Sequence, residues 1–410
     1  MRLALARIGL AIAAIGVLAG AARAADTVTI GAIYPLGQGG DVRLALEAAA
    51  DIVNTPHPGL ETLPLGAGQG LPNLGGAKIA IDFADDLANP SVAEGQALRL
   101  IAQDHVAALI GAGQSPETLA ATALAERHGL PFLVPDATAP NITGRGFQWV
   151  FRTTPLGGDV ARVYAQFLGG LKAAGTRIDT VALVFENSEF GRAASATLRD
   201  ALAAAGFTIV GDIVYPANAT DLSAPVTRLR DQNPNVAIFI SHAADAILLA
   251  KTMKTLNYKP PLEIGDDAGF SDPGFVASVG NLAQGVIDRG VWGVGKPDSP
   301  AALVDQLYKA KSGHDLDDTS ARVMQGFLVL ADAIDRAGST DPGAIQQALR
   351  QTDLKPDRLI VGFNGVRFDA AGQNVLASTY LTQLQGKQYV TVWPTRSATG
   401  KLVLPFKGWE

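Results

Sequence analysis

Residues 106–140 read VAALIGAGQSPETLAATALAERHGLPFLVPDATAP, and this stretch decides the fold class. Val106–Ile110 and Pro131–Val134 are short apolar runs without alternation, and Glu117–His128 between them carries apolar residues at helical spacing. Uninterrupted apolar strands on either side of a helix are typical of parallel strands that are buried on both faces. The stretch therefore predicts a strand–helix–strand unit of an α/β protein.

The same alternation extends along the chain in both directions. Further strand patterns lie at 27–33, 78–83, 181–185, 208–214, 236–240 and 262–265, and helix patterns separate them. Two late segments, 379–385 and 389–393, predict a hairpin. We predict an α/β fold with two doubly wound parallel-sheet lobes. Lobe 1 comprises residues 25–152 with about 290–365, and lobe 2 comprises residues 153–289 with about 366–410.

The bulk composition excludes several classes of protein. The chain has 410 residues, a formal net charge of −6 and no cysteine. Two domains are expected at this length, and without a basic run nucleic-acid binding is not expected. The lack of cysteine excludes disulfides, thiol catalysis, thiolate metal sites and a lipid-modified cysteine anchor.

The first 24 residues have the organisation of a secretory signal peptide. Arg2 and Arg7 lie beside an apolar run, Ile8 to Ala19, and Ala22-Arg23-Ala24 supplies a small-x-small cleavage pattern. A membrane anchor, the alternative, needs about 20 continuous apolar residues. We predict cleavage after Ala24 and a soluble periplasmic protein.

Residues 55–77 interrupt the alternation of strand and helix patterns because they contain four prolines and six glycines. Such a composition predicts a surface excursion between the first helix and the second strand. Either a mobile loop or a contact with a partner protein would account for it.

Two loops at the carboxyl ends of strands are candidates for a binding site. Gly111–Glu117 places Ser115 as a helix N-cap and Pro116 at the first helical position, and small residues there allow close approach of a ligand. A capped helix without ligand is the alternative interpretation. Residues 135–140 follow the next strand of the same predicted sheet, and ligands of such folds bind beyond these strand ends.

The residues of the second loop and of the segments that follow it resemble those of a known protein family. The run 130–140, LPFLVPDATAP, followed by Arg145-Gly146-Phe147 and Phe151-Arg152-Thr153-Thr154, resembles the leucine/isoleucine/valine-binding proteins. Residues 31–35, 82–90 and 185–191 are similar to further segments of that family, so the resemblance covers essentially the whole mature chain. It implies the type I periplasmic binding fold, with a three-segment hinge near 151–155, 286–292 and 364–377.

The resemblance also implies ligand-binding positions in lobe 1. Ser115 and Thr138 match the hydroxyls that hold the ligand, with the backbone of Asp136 and Ala137 between them. Asp136 stands where better-known members have a small residue, and an aspartate there would repel a carboxylate unless it points away or faces an ammonium. Tyr34 and Gln38 are expected on the near wall.

In lobe 2 the resemblance implies an acid that pairs with the ligand's ammonium. Asp267 is the first choice for this role and Asp266 the second, with helix capping or solvent contact as the alternative. His242 and Phe190 match aromatic positions over the ligand. A structural role for the histidine and a core position for the phenylalanine are the alternatives.

These features favour binding over catalysis. The sequence indicates no Ser/His/Asp triad, and the five histidines show no metal-ligand spacing. We predict no cofactor and no metal. The expected function is that of a monomeric solute-binding component of an ABC importer, which captures a small amino acid or carboxylate and delivers it to a membrane permease. A sensor that docks on a membrane receptor, and a binder of an aromatic acid or amide, are the alternatives.

Overall fold

A computed structural model describes residues 27–37, 42–266, 268–293, 297–386, 388–395 and 398–405. The predicted signal peptide, residues 1–24, lies outside these residues. Within them, no helix combines the length and the apolar character that crossing a membrane would require.

The first lobe is built on a parallel sheet in which five strands are described, in the order β2-β1-β3-β4-β5. The strands are β1 (Val28–Tyr34), β2 (Ile79–Asp85), β3 (Ala108–Gly111), β4 (Phe132–Val134) and β5 (Val150–Arg152). The connecting helices are α1 (Val42–Asn54), α2 (Pro90–Ala102) and α3 (Ser115–His128). Their apolar residues cover both faces of the sheet, which explains why its strands are apolar throughout.

The second lobe contains a larger sheet in the order β14-β13-β10-β9-β8-β6-β7. Its strands are β6 (Thr180–Glu186), β7 (Thr208–Tyr215), β8 (Val236–Ile240), β9 (Leu262–Asp266), β10 (Ile287–Gly290), β13 (Tyr380–Gln385) and β14 (Gln388–Trp393). Its helices are α4 (Gly157–Ala173), α5 (Glu189–Ala204), α6 (Ser223–Gln232), α7 (Ala243–Thr255), α8 (Ala268–Ser271) and α9 (Pro273–Val279). The last two strands pair antiparallel, which confirms the predicted hairpin.

The chain returns to the first lobe between β10 and β13. This part holds α10 (Pro300–Ser312), α11 (Asp318–Ala337), α12 (Pro342–Arg350), β11 (Asp353–Leu354) and β12 (Val366–Arg367). Helix α11 packs against α1 in the first-lobe core. Together the two sheets and their helices confirm the predicted α/β fold of two lobes.

Three segments of the described chain connect the lobes, after β5, after β10 and before β13. Val366 and Phe368 lie in the first-lobe core, where the Phe368 ring packs 5.3 Å from that of Phe151. The chain therefore stays with the first lobe beyond residue 366, where the sequence placed its return to lobe 2. Burial of these two apolar side chains is the physical reason for the later crossing.

Residues 55–77 form a packed cover on the first lobe. Leu60, Leu63 and Leu71 are buried in its core. The segment that was predicted to be a surface excursion is therefore exposed only in part. The backbone N–H and the side-chain amide of Asn73 donate to the Asp335 carboxylate at 2.8 and 3.1 Å, which fixes the segment to α11.

Candidate functional site

A narrow pocket lies between the lobes at the carboxyl ends of their strands. The first lobe contributes Thr138, Ala139 and Pro140 from the loop after β4, and the second contributes Phe190 of α5, Asp266 of β9 and Arg289 of β10. Small and apolar side chains of α4 and α5 complete the lining. The space left between these groups is about 10 Å³, which a single water molecule would fill.

Arg152 fixes the shape of the first-lobe loop. This side chain is fully buried at the end of β5, and its Nη1 donates to the carbonyls of Ala137 and Ala139 at 3.2 and 2.7 Å. Its Nε donates to Gln373 Oε1 at 2.7 Å, and its Nη2 to Thr143 Oγ1 at 3.0 Å. Burial lowers the pKa of Arg152 to about 9. One guanidinium therefore links the loop after β4 to a segment more than 200 residues later.

Ser115 also supports this loop, although not as the predicted N-cap. Helix α3 begins at Ser115, so the cap residue is Gln114, whose side chain makes no capping hydrogen bond. The Ser115 hydroxyl instead accepts a hydrogen bond from the Ala139 backbone N–H at 3.3 Å. Because residues 136–140 fold back over the start of α3, the hydroxyl reaches that loop. Ser115 and Thr138 are thereby placed on the same side of the pocket.

Asp136 faces a cation in its own lobe. Its Oδ1 lies 2.9 Å from Arg322 Nη1, and Asp318 Oδ2 lies 3.2 Å from Nε of the same arginine. All three residues are buried. Asp318 is held in turn because its Oδ1 accepts from the backbone N–H groups of Val291 and Trp292 in the second crossing. Arg322 therefore offsets part of the charge of Asp136, and the effect of Asp136 on a bound carboxylate stays a prediction.

Tyr34 lies at the end of β1 beside this ion pair. Its hydroxyl is buried and has no hydrogen-bond partner among the described residues. Burial raises the pKa of Tyr34 well above its usual value, and the charges of Asp136 and Asp86 add to this effect. The phenol is therefore neutral at physiological pH. Gln38, the other residue expected on this wall, lies outside the described residues.

In the second lobe, Asp266 is paired with an arginine. Its Oδ1 lies 2.9 Å from Arg289 Nε and accepts a hydrogen bond from the Tyr164 hydroxyl at 3.0 Å. Both charged side chains are almost completely buried. Asp267, the preferred partner for a ligand ammonium, lies outside the described residues. Asp266, the second choice, does line the pocket, but its charge is already balanced.

His242 and Phe190 lie side by side, as their matching positions suggested. Their ring centroids are 5.3 Å apart, and His242 Nε2 lies 3.4 Å from Glu186 Oε1. Phe190 is buried and lines the pocket, whereas His242 precedes α7 and keeps 29% of its side chain exposed. The two rings form the second-lobe edge of the site.

Of the predicted site residues, the structure thus places Thr138, Phe190 and Asp266 in the pocket lining. Ser115 contacts the lining residue Ala139, and His242 lies beside Phe190. Tyr34 and Asp136 belong to the ion-pair region of lobe 1 and are not among the lining residues. The buried charged residues Arg152, Arg289, Arg322 and Glu186 were not identified from the sequence. Arg152 and Glu186 stood within segments that carry the family resemblance, but neither was singled out. The others come from strand ends and from α11, where no local pattern marks a charged residue as buried.

Comparisons with known proteins agree with this geometry. A family model described as periplasmic binding protein matches residues 27–388. Leu/Ile/Val-binding protein homolog 8 of Brucella abortus is 29% identical over 394 residues, with 92% of each chain covered. Homolog 7 of Brucella melitensis is 28% identical, covering 97% of this chain and 98% of its own.

Solved structures show the same fold. The leucine binding protein LivK of Thermotoga maritima superposes with a TM-score of 0.75 at 20% identity, covering 89% of this chain and 98% of its own. LivJ of Streptococcus pneumoniae, solved in complex with isoleucine, gives 0.73 at 19% identity with the same coverage. The resemblance to the leucine/isoleucine/valine-binding proteins is confirmed, and the chain belongs to the periplasmic binding protein family.

Proposed function

We propose that the chain is exported, loses residues 1–24 and captures a small amino acid or amino-acid-like carboxylate between its lobes. It then delivers this ligand to the membrane permease of an ABC importer. In this proposal the protein acts as a monomer in the periplasm and binds its ligand without catalysing a reaction. Mass spectrometry of protein recovered from the periplasm should give a mature chain that begins at Ala25.

The observation that carries the proposal is a pocket assembled from both lobes at the carboxyl ends of their parallel strands. Loops of this kind present hydroxyls and backbone N–H groups to a small anionic ligand. Thr138 lies in the pocket, and Ser115 supports the loop behind it. The names of the Brucella relatives and the isoleucine in the LivJ structure favour an amino acid as ligand.

The mechanism we propose is hinge closure. Because the pocket has room for only about one water molecule, a ligand can enter only after the lobes separate. The polar end of the ligand would bind first to the loop that contains Thr138. Lobe 2 would then close with Phe190 and His242, with Asp267 as the acid facing an ammonium, and bury the ligand.

An aromatic acid is the second candidate. A solute-binding protein of Rhodopseudomonas palustris BisB5, solved with 3,4-dihydroxybenzoic acid, superposes with a TM-score of 0.74 at 20% identity and covers 93% of this chain. The neighbouring rings of Phe190 and His242 would offer an aromatic ligand a stacking surface. Amino acids and aromatic carboxylates therefore belong in the same ligand screen.

The test combines a thermal-shift screen with calorimetry. A ligand that binds only the folded state raises the melting temperature by mass action. Thr138→Ala should weaken binding of the best ligand by about fivefold, since one buried hydrogen bond contributes about 1 kcal/mol. Thr208→Ala, at an exposed position of β7, is the matched control. Equal affinities of the two variants would remove Thr138 from the site.

A further inference from the structure

A side-chain hydrogen bond joins the two lobes outside the three crossings. Asn141 lies in a short 3₁₀ helix of lobe 1, Pro140–Ile142, and Glu189 begins α5 in lobe 2. The side-chain amide of Asn141 donates from Nδ2 to Glu189 Oε1 at 3.0 Å. Because this bond connects one lobe directly to the other, it is broken when the lobes separate. It therefore contributes to the free energy of the closed form alone.

The bond lies beside the pocket. Pro140, the residue before Asn141, and Phe190, the residue after Glu189, line the pocket from opposite lobes. Asn141 and Glu189 are not among the lining residues. Asn141 is exposed and Glu189 is half-buried. The pair is thus placed to hold Pro140 and Phe190 against each other without occupying the space of a ligand.

We propose that Asn141 and Glu189 are positioning residues that stabilise the closed form of the protein. This inference rests on the proposed function, since it adds to hinge closure an interaction in which the ligand takes no part. An interaction made only in the closed form raises the population that holds a ligand, and the apparent affinity rises by the same factor. That factor is the same for every ligand of the pocket, whereas a residue that contacts the ligand affects different ligands differently.

The chemistry of the pair allows donor and acceptor to be exchanged. Asn141→Asp places a second carboxylate against Glu189, and repulsion between like charges across the cleft favours the open form. Glu189→Gln leaves an amide oxygen that still accepts from Asn141, in a weaker bond between neutral groups. The two substitutions together restore one carboxylate and one amide donor with their positions exchanged. A substitution that merely disturbs one lobe is not rescued by such an exchange.

Calorimetry with leucine as the probe tests the exchange. Asn141→Asp should weaken leucine binding about tenfold and Glu189→Gln less than about threefold, and the double variant should return to within about twofold of the wild type. Asn281→Asp is the matched control. It adds the same charge at an exposed asparagine of another short 3₁₀ helix, Gly280–Ala283, which contributes nothing to the pocket lining. Its leucine affinity should equal that of the wild type.

A second measurement follows closure without any ligand. The chain has no cysteine, so two introduced cysteines carry dyes at chosen positions. Leu98→Cys on α2 and Asp200→Cys on α5 lie at exposed positions of opposite lobes, and energy transfer between their dyes reports the closed fraction. Asn141→Asp should lower this fraction, and the double variant should restore it.

The outcomes separate this inference from the proposed function. If Asn141→Asp binds leucine and closes like the Asn281→Asp control, or if the double variant stays as weak as Asn141→Asp, the positioning role is wrong while the proposed function stands. If the wild type binds neither leucine nor any other amino acid or carboxylate, the proposed function fails. Energy transfer without ligand then decides the positioning role, and a closed fraction that Asn141→Asp leaves unchanged overturns it.

Discussion

Arg152 offers the sharpest test of how the fold positions the site. Replacing it by methionine keeps a long side chain of similar reach but removes the donors to Ala137, Ala139, Thr143 and Gln373. All five residues lie at the junction of β5, the ligand-facing loop and the third crossing. The substitution therefore removes the one side chain that connects these three segments.

The magnitude follows from the hydrogen bonds. Each bond from a charged donor contributes about 1.5 kcal/mol net, which gives ~6 kcal/mol for the four. Methionine avoids the desolvation of a buried guanidinium, and this offsets part of the loss. We expect Arg152→Met to lower the free energy of unfolding by about 3 kcal/mol. Ligand affinity should fall as well, because the carbonyls of Ala137 and Ala139 lose the donor that orients their loop.

Urea unfolding followed by circular dichroism measures the change, with Arg127→Met as the matched control. Arg127 is largely exposed and pairs only with Glu94 in an exposed ion pair, so its loss should cost less than about 0.5 kcal/mol. If Arg152→Met costs no more than this control, the guanidinium does not hold the loop and the reasoning is refuted.

Three further substitutions probe separate parts of the molecule. Leu71→Ala should cost about 3 kcal/mol in urea unfolding if residues 55–77 are part of the core, and a cost below about 0.5 kcal/mol would show that they are not. Asp136→Asn should cost about 2 kcal/mol, since it removes the carboxylate that lies 2.9 Å from Arg322 Nη1; a neutral effect would contradict the ion pair. Burial raises the pKa of Glu263 from 4.5 to about 8, so the unfolding free energy of the wild type should fall as the pH rises from 5 to 8, by at most ~5 kcal/mol. Glu263→Gln should lose the contribution of Glu263 to this fall, so its advantage over the wild type should grow toward pH 8; parallel pH profiles would contradict the raised pKa.

The long apolar strands could be predicted from the sequence because their burial requires nothing beyond apolar side chains. The pattern at 236–240 coincides with β8, and that at 181–185 lies within β6. Strands β5 and β10 could not be predicted in this way. They are short and contain buried charges, Arg152 in one and Asp288 and Arg289 in the other. A hydropathy pattern predicts that such residues are exposed. Their burial depends on partners that are distant in sequence, and a local pattern does not reveal those partners.

The start of α11 shows the same effect. The helical spacing of apolar residues in this region starts at Arg322, whereas the helix itself begins at Asp318 with Asp317 as N-cap. The first turn contains polar side chains that interrupt the apolar stripe, yet they are buried. The side chain of Asp317 accepts from the Ser320 N–H, and Asp318 faces Arg322. Only the tertiary structure shows the hydrogen bonds and the ion pair that hold these carboxylates inside the lobe.

The balance of charge within each lobe bears on closure. Arg322 holds Asp136 and Asp318 within lobe 1, and Arg289 holds Asp266 within lobe 2, so none of these pairs changes its separation when the lobes move as rigid bodies. Closure of the cleft therefore breaks none of these buried ion pairs, and the equilibrium between open and closed forms is shifted by the contacts that a ligand makes with both lobes.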